Sequence, residues 1–195
     1  MKKIGIFGGT FNPIHQGHLI VASYIYEKAG LDKLVFMPAG NPPQKTGEED
    51  FAHRLAMIDL AIKDDPRMGA TDIENTEETS YTYNIMDKLR RHCEDDLYFI
   101  MGVDSIENIG SWYRFEDLLR ENKFIVTTRP GFEVKRATRD LVGIYTDRID
   151  YTEGPMVDIS STEIRNKIEE GKSIKYLLPK EVEDYIYDKG LYRPI

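Results

Sequence analysis

The sequence is poor in cysteine, in long apolar runs and in net positive charge. Cys93 is the only cysteine, which excludes an intramolecular disulfide and a four-cysteine zinc site. A net charge of −8 excludes a basic field over the whole surface, of the kind that attracts nucleic acid or an anionic membrane. The first apolar run is broken by glycine within nine residues, too early for a signal peptide or a membrane span. We therefore expect a cytoplasmic protein with neither nucleic-acid nor membrane partners.

What the chain does contain is a globular balance of residues. Hydrophobic residues make up 41% of the 195 residues and charged residues 31%, which excludes a wholly disordered chain. This length predicts a single α/β domain over residues 1–195, in which residues 159–195 form a small C-terminal helical part. The composition leaves the oligomeric state open, a homo-oligomer included.

Short apolar runs closed by glycine or proline alternate with segments of helical period, which is typical of a parallel sheet covered by helices on both faces. We expect a doubly wound, Rossmann-like sheet that binds ligands beyond the carboxyl ends of its strands. The polar, Pro- and Gly-containing segment 41–50 is interpreted as a loop over those ends. The predicted strands are residues 4–7, 34–37, 70–73, 97–101 and 124–127, and the predicted helices are residues 18–29, 51–62, 82–93 and two within 159–195 that separate near Leu178.

The most informative segment is the turn after the first strand, GGTFNPIHQGH, residues 8–18. Gly8 and Gly9 allow close backbone approach to a ligand, and a helix starting near His18 adds a positive dipole end that favours phosphate. His15 and His18 are spaced to lie on one side of a helical turn, where imidazoles can donate to oxygens that gain charge in a transition state.

This turn has two other interpretations. The first is that the glycines only form a turn and that the histidines are solvated surface residues. This would explain a lone Gly-Gly, but here two glycines, Asn-Pro, two histidines and a helix start fall within one turn. A zinc site needs further ligands, and the remaining histidines, His53 and His92, fall in predicted helices without ligand-rich neighbours. The segment is neither a P-loop nor the three-glycine dinucleotide fingerprint.

This turn resembles the signature of the nucleotidylyltransferase superfamily, and ISSTEIR at residues 159–165 resembles its second signature. Ser160 and its neighbours form a helix-start sequence, while Arg165, one turn later, is able to return to the same phosphate site. The resemblance implies that Lys45 also reaches the triphosphate, with Mg²⁺ accompanying ATP and no dedicated metal ligands in the protein. It implies catalytic roles for His15, His18, Lys45 and Arg165, and ATP binding by Gly8, Gly9, Thr10, Phe11, His18, Lys45, Gly102, Asp104, Ile159, Ser160, Ser161, Thr162 and Arg165.

Further segments across nearly the whole chain are similar to bacterial nicotinate-nucleotide adenylyltransferases, which join the AMP part of ATP to nicotinate mononucleotide in NAD biosynthesis. They are PAGNPPQK at 38–45, SYT at 80–82, GVD at 102–104 and the pair Trp112-Tyr113. The resemblance implies that Trp112 stacks on the pyridine ring and that the amides of Thr82 and Tyr113 hold the carboxylate. The mononucleotide-binding residues it implies are Thr10, Asn12, Lys45, Ser80, Tyr81, Thr82, Asp104, Trp112 and Tyr113.

The chain departs from the usual pattern at two positions: Asn84 follows Ser-Tyr-Thr where many relatives have aspartate, and Asn12 also replaces an aspartate. For Asp104 the alternative is a helix N-cap, and for Arg129 a surface ion pair is weighed against a nucleotide contact. The competing functions are a phosphopantetheine adenylyltransferase or cytidylyltransferase, a nucleotide sensor without turnover, and a nicotinamide-dependent oxidoreductase.

Overall fold

The computed structural model describes residues 1–40, 49–75, 79–128, 131 and 134–193. Within these ranges, six parallel strands form one sheet in the order β3-β2-β1-β4-β5-β6. The order reverses beside β1, so β1 and β4 meet at the switch point where α/β sheets bind ligands. The strands are β1 Lys3–Gly9, β2 Lys33–Pro38, β3 Met68–Ala70, β4 Asp96–Gly102, β5 Lys123–Thr128 and β6 Ile149–Glu153.

Helices connect the strands in sequence and cover the sheet, as the alternation of apolar runs and helical periods predicts. Two 3₁₀ turns, Ile109–Ser111 and Gly143–Arg148, complete the regular structure of the described residues. The helices are α1 Gln16–Lys28, α2 Phe51–Ile62, α3 Thr82–His92, α4 Val103–Glu107, α5 Phe115–Glu121, α6 Arg136–Val142, α7 Ser161–Glu169 and α8 Lys180–Lys189.

The buried side chains form two clusters, one on each face of the sheet. Neighbouring residues of β1 point to opposite faces, so Phe7 packs in the first cluster and Ile6 in the second. The first cluster contains Ile25 of α1 and Ile58 of α2, together with Ile186 of α8. The C-terminal helices therefore bury their apolar faces against the same side of the sheet as the first two helices.

The doubly wound parallel sheet predicted from the sequence is confirmed. Predicted helix 51–62 matches α2, and the other elements with predicted bounds differ by at most two residues at each end, except that β3 lies slightly earlier than residues 70–73. The edge strand β6 was not predicted, because only Ile149 of its five residues is buried. Among the described residues, no helix has the length and apolar character needed to cross a membrane.

Candidate active site

The turn between β1 and α1 lies at the switch point of the sheet. Phe11 adopts a left-handed backbone conformation with φ 51°, which is uncommon for a residue with a side chain. Its buried ring packs edge-on against Phe7 and Phe36, with centroid distances of 5.7 and 5.4 Å. This packing anchors the middle of the turn in the core and fixes the path of the backbone on either side.

The two histidines of the turn are stacked on each other, with ring centroids 3.7 Å apart and planes inclined by 26°. The backbone N–H of His15 donates to Nδ1 of His18 at 3.2 Å. An accepting Nδ1 leaves the proton of the neutral His18 ring on Nε2, which is then the available donor. Gly17 leaves room for this stacking, because a Cβ there would lie only 3.0 Å from the His15 ring.

Both imidazoles are uncharged at neutral pH in the absence of ligand. Burial lowers the pKa of His15 to about 4. Burial also lowers the pKa of His18 well below 6.5, and the neighbouring His15 lowers it further. Among the described residues, Nδ1 of His15 is buried without a hydrogen-bond partner.

The second motif meets this turn directly, although the two segments are about 150 residues apart in sequence. Ser160 caps α7 by accepting from the N–H of Glu163 at 3.1 Å. The Ser161 hydroxyl donates to the carbonyl of Pro13 at 2.8 Å. Arg165 donates to the carbonyl of Asn12 at 2.7 Å and to the Thr162 hydroxyl at 3.3 Å. The predicted meeting of the two signatures is therefore present in the fold.

A cavity of about 510 Å³ opens beside the turn, at the carboxyl ends of the strands. Nine of the residues assigned to ligands from the sequence line it: Gly8, Gly9, Thr10, Ser80, Tyr81, Thr82, Asp104, Trp112 and Tyr113. The other described residues of that assignment lie outside its lining, and these are Phe11, Asn12, His15, His18, Gly102, Ile159, Ser160, Ser161, Thr162 and Arg165. Lys45 and Arg129 lie outside the described residues.

One wall of the cavity is aromatic. The ring of Tyr113 lies 4.6 Å from that of Tyr81, and the Tyr113 residue is 49% exposed. Trp112 is partly buried and packs edge-on against Phe99 at 6.4 Å. The residues of these rings line the cavity, and among them Tyr113 has the greatest exposure to solvent.

Asp104 lines the same cavity from the first turn of α4. The alternative role as helix N-cap is wrong, because the N-cap position is occupied by Gly102. The residue is exposed, and its backbone carbonyl accepts from the side chain of Asn108 at 2.8 Å. Its carboxylate is therefore not used in capping α4.

Sequence reasoning missed Arg54, a buried cation that joins three loops. Its guanidinium donates to the carbonyls of Thr10 and Glu49, both at 2.9 Å, and to that of Gly40 at 3.5 Å. Arg54 is 2% exposed, and it lies one turn before Ile58 on the buried face of α2. A charged residue on the apolar side of a predicted helix was the available signal.

Glu74 was missed as well, and it lines the cavity while being only 6% exposed. Its carboxylate accepts from the Ser80 hydroxyl and from the N–H of Gly40 at 3.0 Å. Burial raises the pKa of Glu74, while these two hydrogen bonds and the charge of Arg54 oppose the rise. The close contact between residues 40 and 74 requires glycine at position 40, because a Cβ on Gly40 would lie 1.8 Å from the carbonyl oxygen of Glu74.

Comparison with known proteins agrees with this geometry. The family described as cytidylyltransferase-like matches residues 6–167. A nicotinate-nucleotide adenylyltransferase from Bacillus subtilis is 40% identical over 196 residues, which cover 98% of this chain and 99% of that protein. A probable nicotinate-nucleotide adenylyltransferase from Syntrophotalea carbinolica is 40% identical over 212 residues, covering 98% of this chain and 97% of that one.

Solved structures give the same result. The nicotinic acid mononucleotide adenylyltransferase of Plasmodium falciparum, complexed with NaAD, superposes with a TM-score of 0.83 at 25% identity, over 98% of each chain. A putative nicotinate-nucleotide adenylyltransferase from Vibrio parahaemolyticus gives a TM-score of 0.66 at 26% identity, over 95% of this chain and 99% of that one. The resemblance inferred from the two signatures is confirmed. The chain belongs to the cytidylyltransferase-like family and, within it, to the nicotinate-nucleotide adenylyltransferases.

Proposed function

We propose that this protein transfers the adenylyl group of ATP to nicotinate mononucleotide, forming nicotinate adenine dinucleotide and pyrophosphate in NAD biosynthesis. The observation that carries this proposal is the union of the two signatures at the switch point. Arg165 and Ser161 bond to the carbonyls of Asn12 and Pro13, in the turn that holds the stacked histidines. The cavity beside this turn has room for a nucleotide and is lined by aromatic rings at its far end.

The reaction is a direct displacement at phosphorus. A phosphate oxygen of the mononucleotide bonds to the α-phosphorus of ATP, while the bond from that phosphorus to the oxygen bridging to the β-phosphate breaks. Pyrophosphate leaves with the electron pair of the broken bond. No covalent intermediate with the protein is required, so positioning and charge stabilisation supply most of the acceleration.

The residues of the turn act as donors to the phosphates. The Nε2–H of His18 donates to an oxygen that gains charge in the transition state. Arg165 and the start of α7 hold the β- and γ-phosphates, since a guanidinium and free helix amides both favour phosphate. Lys45 is assigned to the same triphosphate by resemblance alone.

Mg²⁺ is the proposed cofactor. The described lining of the cavity offers oxygen donors such as the Asp104 carboxylate, and this is the donor chemistry that Mg²⁺ takes. When bound, Mg²⁺ supplies neutralisation of phosphate charge, and the substrate phosphates provide most of its ligands. Asp104 would be the protein's own contribution, either to the ion or to ribose hydroxyls.

The acceptor is assigned to the aromatic end of the cavity. By resemblance, Trp112 is assigned to stack on the pyridine ring, and the backbone amides of Thr82 and Tyr113 are the proposed donors to the nicotinate carboxylate. Amide donors favour a carboxylate over a carboxamide, because the NH₂ of a carboxamide would face another donor. Ser80, held by Glu74, and Tyr81 complete this end of the site.

The domain organisation, cellular location and partners of the protein are also part of the proposal. Residues 1–195 are proposed to act as one domain whose C-terminal part, 159–195, carries the second motif. Packing of Ile164 and Ile186 with Phe7 in one cluster supports this assignment. A cytoplasmic location, the absence of nucleic-acid and membrane partners, and a homo-oligomer remain predictions.

Product analysis tests the proposed function. The protein is incubated with ATP and Mg²⁺ plus nicotinate mononucleotide, nicotinamide mononucleotide or phosphopantetheine, and pyrophosphate release and product mass are measured. We expect fastest release with nicotinate mononucleotide and a product of the mass of nicotinate adenine dinucleotide. Release with phosphopantetheine alone would reassign the acceptor, and no release with any of the three would favour a nucleotide sensor.

A further inference from the structure

Tyr192, near the C-terminus, contacts the turn between β1 and α1, which is called the phosphate turn below. Its hydroxyl donates to Oδ1 of Asn12 at 2.8 Å, across 180 residues of sequence. The backbone N–H of Glu49 faces the same side-chain atom at 3.3 Å. Because an N–H only donates, the atom that faces both groups is the amide oxygen of Asn12. Both contacts thus fix the orientation of the Asn12 side chain.

The Tyr192 phenol remains a donor over the physiological pH range. Burial raises its pKa, and the nearby Glu49 raises it further. The residue is only partly exposed, and its ring packs against the cluster that contains Phe11 and Ile14 of the turn. The hydroxyl is therefore the polar end of a side chain whose apolar body is held by the core.

A second contact ties the C-terminal part to the other end of the turn. The N–H of Gln16, the first residue of α1, donates to the carbonyl of Leu177 at 2.9 Å. The C-terminal part thus bonds to the turn at Asn12 on one side and at Gln16 on the other, with the two stacked histidines adjacent to Gln16. Leu177 acts through its backbone, so of these two contacts the Tyr192 hydroxyl is the one that a side-chain substitution can remove.

Asn12 bonds to both Tyr192 and Arg165. The side chain of Asn12 accepts from Tyr192, while the backbone carbonyl of the same residue accepts from the Arg165 guanidinium at 2.7 Å. Asn12 is 5% exposed and does not line the cavity. We infer that the Tyr192 hydroxyl is a positioning group for the proposed adenylyl transfer, holding Asn12 so that its carbonyl keeps Arg165 beside the phosphate turn.

This inference rests on the proposed function, and Tyr192→Phe tests it by removing one oxygen atom. We expect kcat/KM for ATP to fall about fivefold, the factor that corresponds to one neutral hydrogen bond. KM for nicotinate mononucleotide should not change, because the aromatic end of the cavity is untouched. Tyr185→Phe is the matched control. It removes the hydroxyl of Tyr185 in α8, which bonds to Nδ1 of His53 at 2.9 Å, and both residues lie outside the site. The control should keep both kinetic constants of the wild type.

A double-mutant cycle separates positioning from a general loss of stability. If Tyr192 acts through Arg165, then Tyr192→Phe should have no further effect on kcat/KM for ATP in an Arg165→Ala background. Wild-type constants in Tyr192→Phe, or an equal loss in both backgrounds, would overturn the inference. An equal kinetic loss in Tyr185→Phe would do the same. A wild-type protein that forms no product would overturn the proposed function, and the inference would fall with it.

Discussion

The two ends of the site are built differently. At the end proposed to bind phosphate, polar side chains bond to backbone carbonyls from distant parts of the chain, as Ser161 does to Pro13 and Arg165 to Asn12. At the end proposed to bind the mononucleotide, the rings of Tyr81 and Tyr113 pack on each other, and Tyr113 is half exposed. The first arrangement orients hydrogen-bond donors toward charged phosphate oxygens, whereas the second offers an apolar surface on which a pyridine ring can pack. Substitutions at the two ends should therefore change different kinetic constants.

The largest expected effect is at His18. His18→Ala should lower kcat by roughly 10²-fold or more, because it removes a donor to charge that develops in the transition state. His92→Ala is the control, since His92 is exposed on α3 and bonds only to the carbonyl of Lys88 among described residues. Pyrophosphate release is measured for both, with circular dichroism as a check on folding. A near-normal kcat in His18→Ala would remove His18 from the mechanism.

Arg54 tests whether the phosphate end depends on buried polar bonds for its stability. Arg54→Met should lower the free energy of unfolding by about 3 kcal/mol, because three loop carbonyls lose a buried donor and Glu74 loses a favourable charge. Arg120→Met removes only an exposed ion pair with Asp117 and should cost less than about 1 kcal/mol. Urea denaturation of the two variants gives the comparison. Equal losses would show that the buried arginine has no special role.

The mononucleotide end is tested by Trp112. Trp112→Ala should raise KM for nicotinate mononucleotide about tenfold, the scale of losing one ring-stacking contact, while KM for ATP stays near that of the wild type. Tyr176→Ala, at a residue 79% exposed and outside the cavity lining, is the control. Steady-state kinetics with each substrate varied in turn measures both constants. A parallel rise in both KM values would contradict the separation of the two ends.

An effect of similar size is expected from the burial of His15. The pKa of His15 is about 4 in the folded protein and near 6.5 when unfolded, so below pH 6.5 the unfolded chain binds more protons. Stability therefore falls as the pH falls from 6.5 towards 4. From pH 7 to pH 5, the wild type should lose about 1 to 2 kcal/mol more than His15→Gln, as measured by urea denaturation at each pH. Equal losses would mean that His15 is not held neutral by burial.

The sequence predicted the sheet because the sheet leaves local signals, while the meeting of the two signatures was predicted from their resemblance to one superfamily. Glycine after an apolar run predicted where β1 and β4 end, and the helix-start serines predicted α7. Arg54 was missed because its partners are backbone carbonyls, and every residue type supplies one. Tyr192 was missed for a related reason, since the side chain it contacts is 180 residues away and no local pattern links them.

The contact between Arg165 and the carbonyl of Asn12 has a consequence for binding. A long guanidinium side chain loses rotamer freedom when it is immobilised, and in a flexible surface arginine that entropy loss opposes ligand capture. In this protein the loss occurs when the chain folds, before any nucleotide arrives. The entropy loss then lowers the stability of the folded protein. It does not lower the affinity for the triphosphate that Arg165 is proposed to bind.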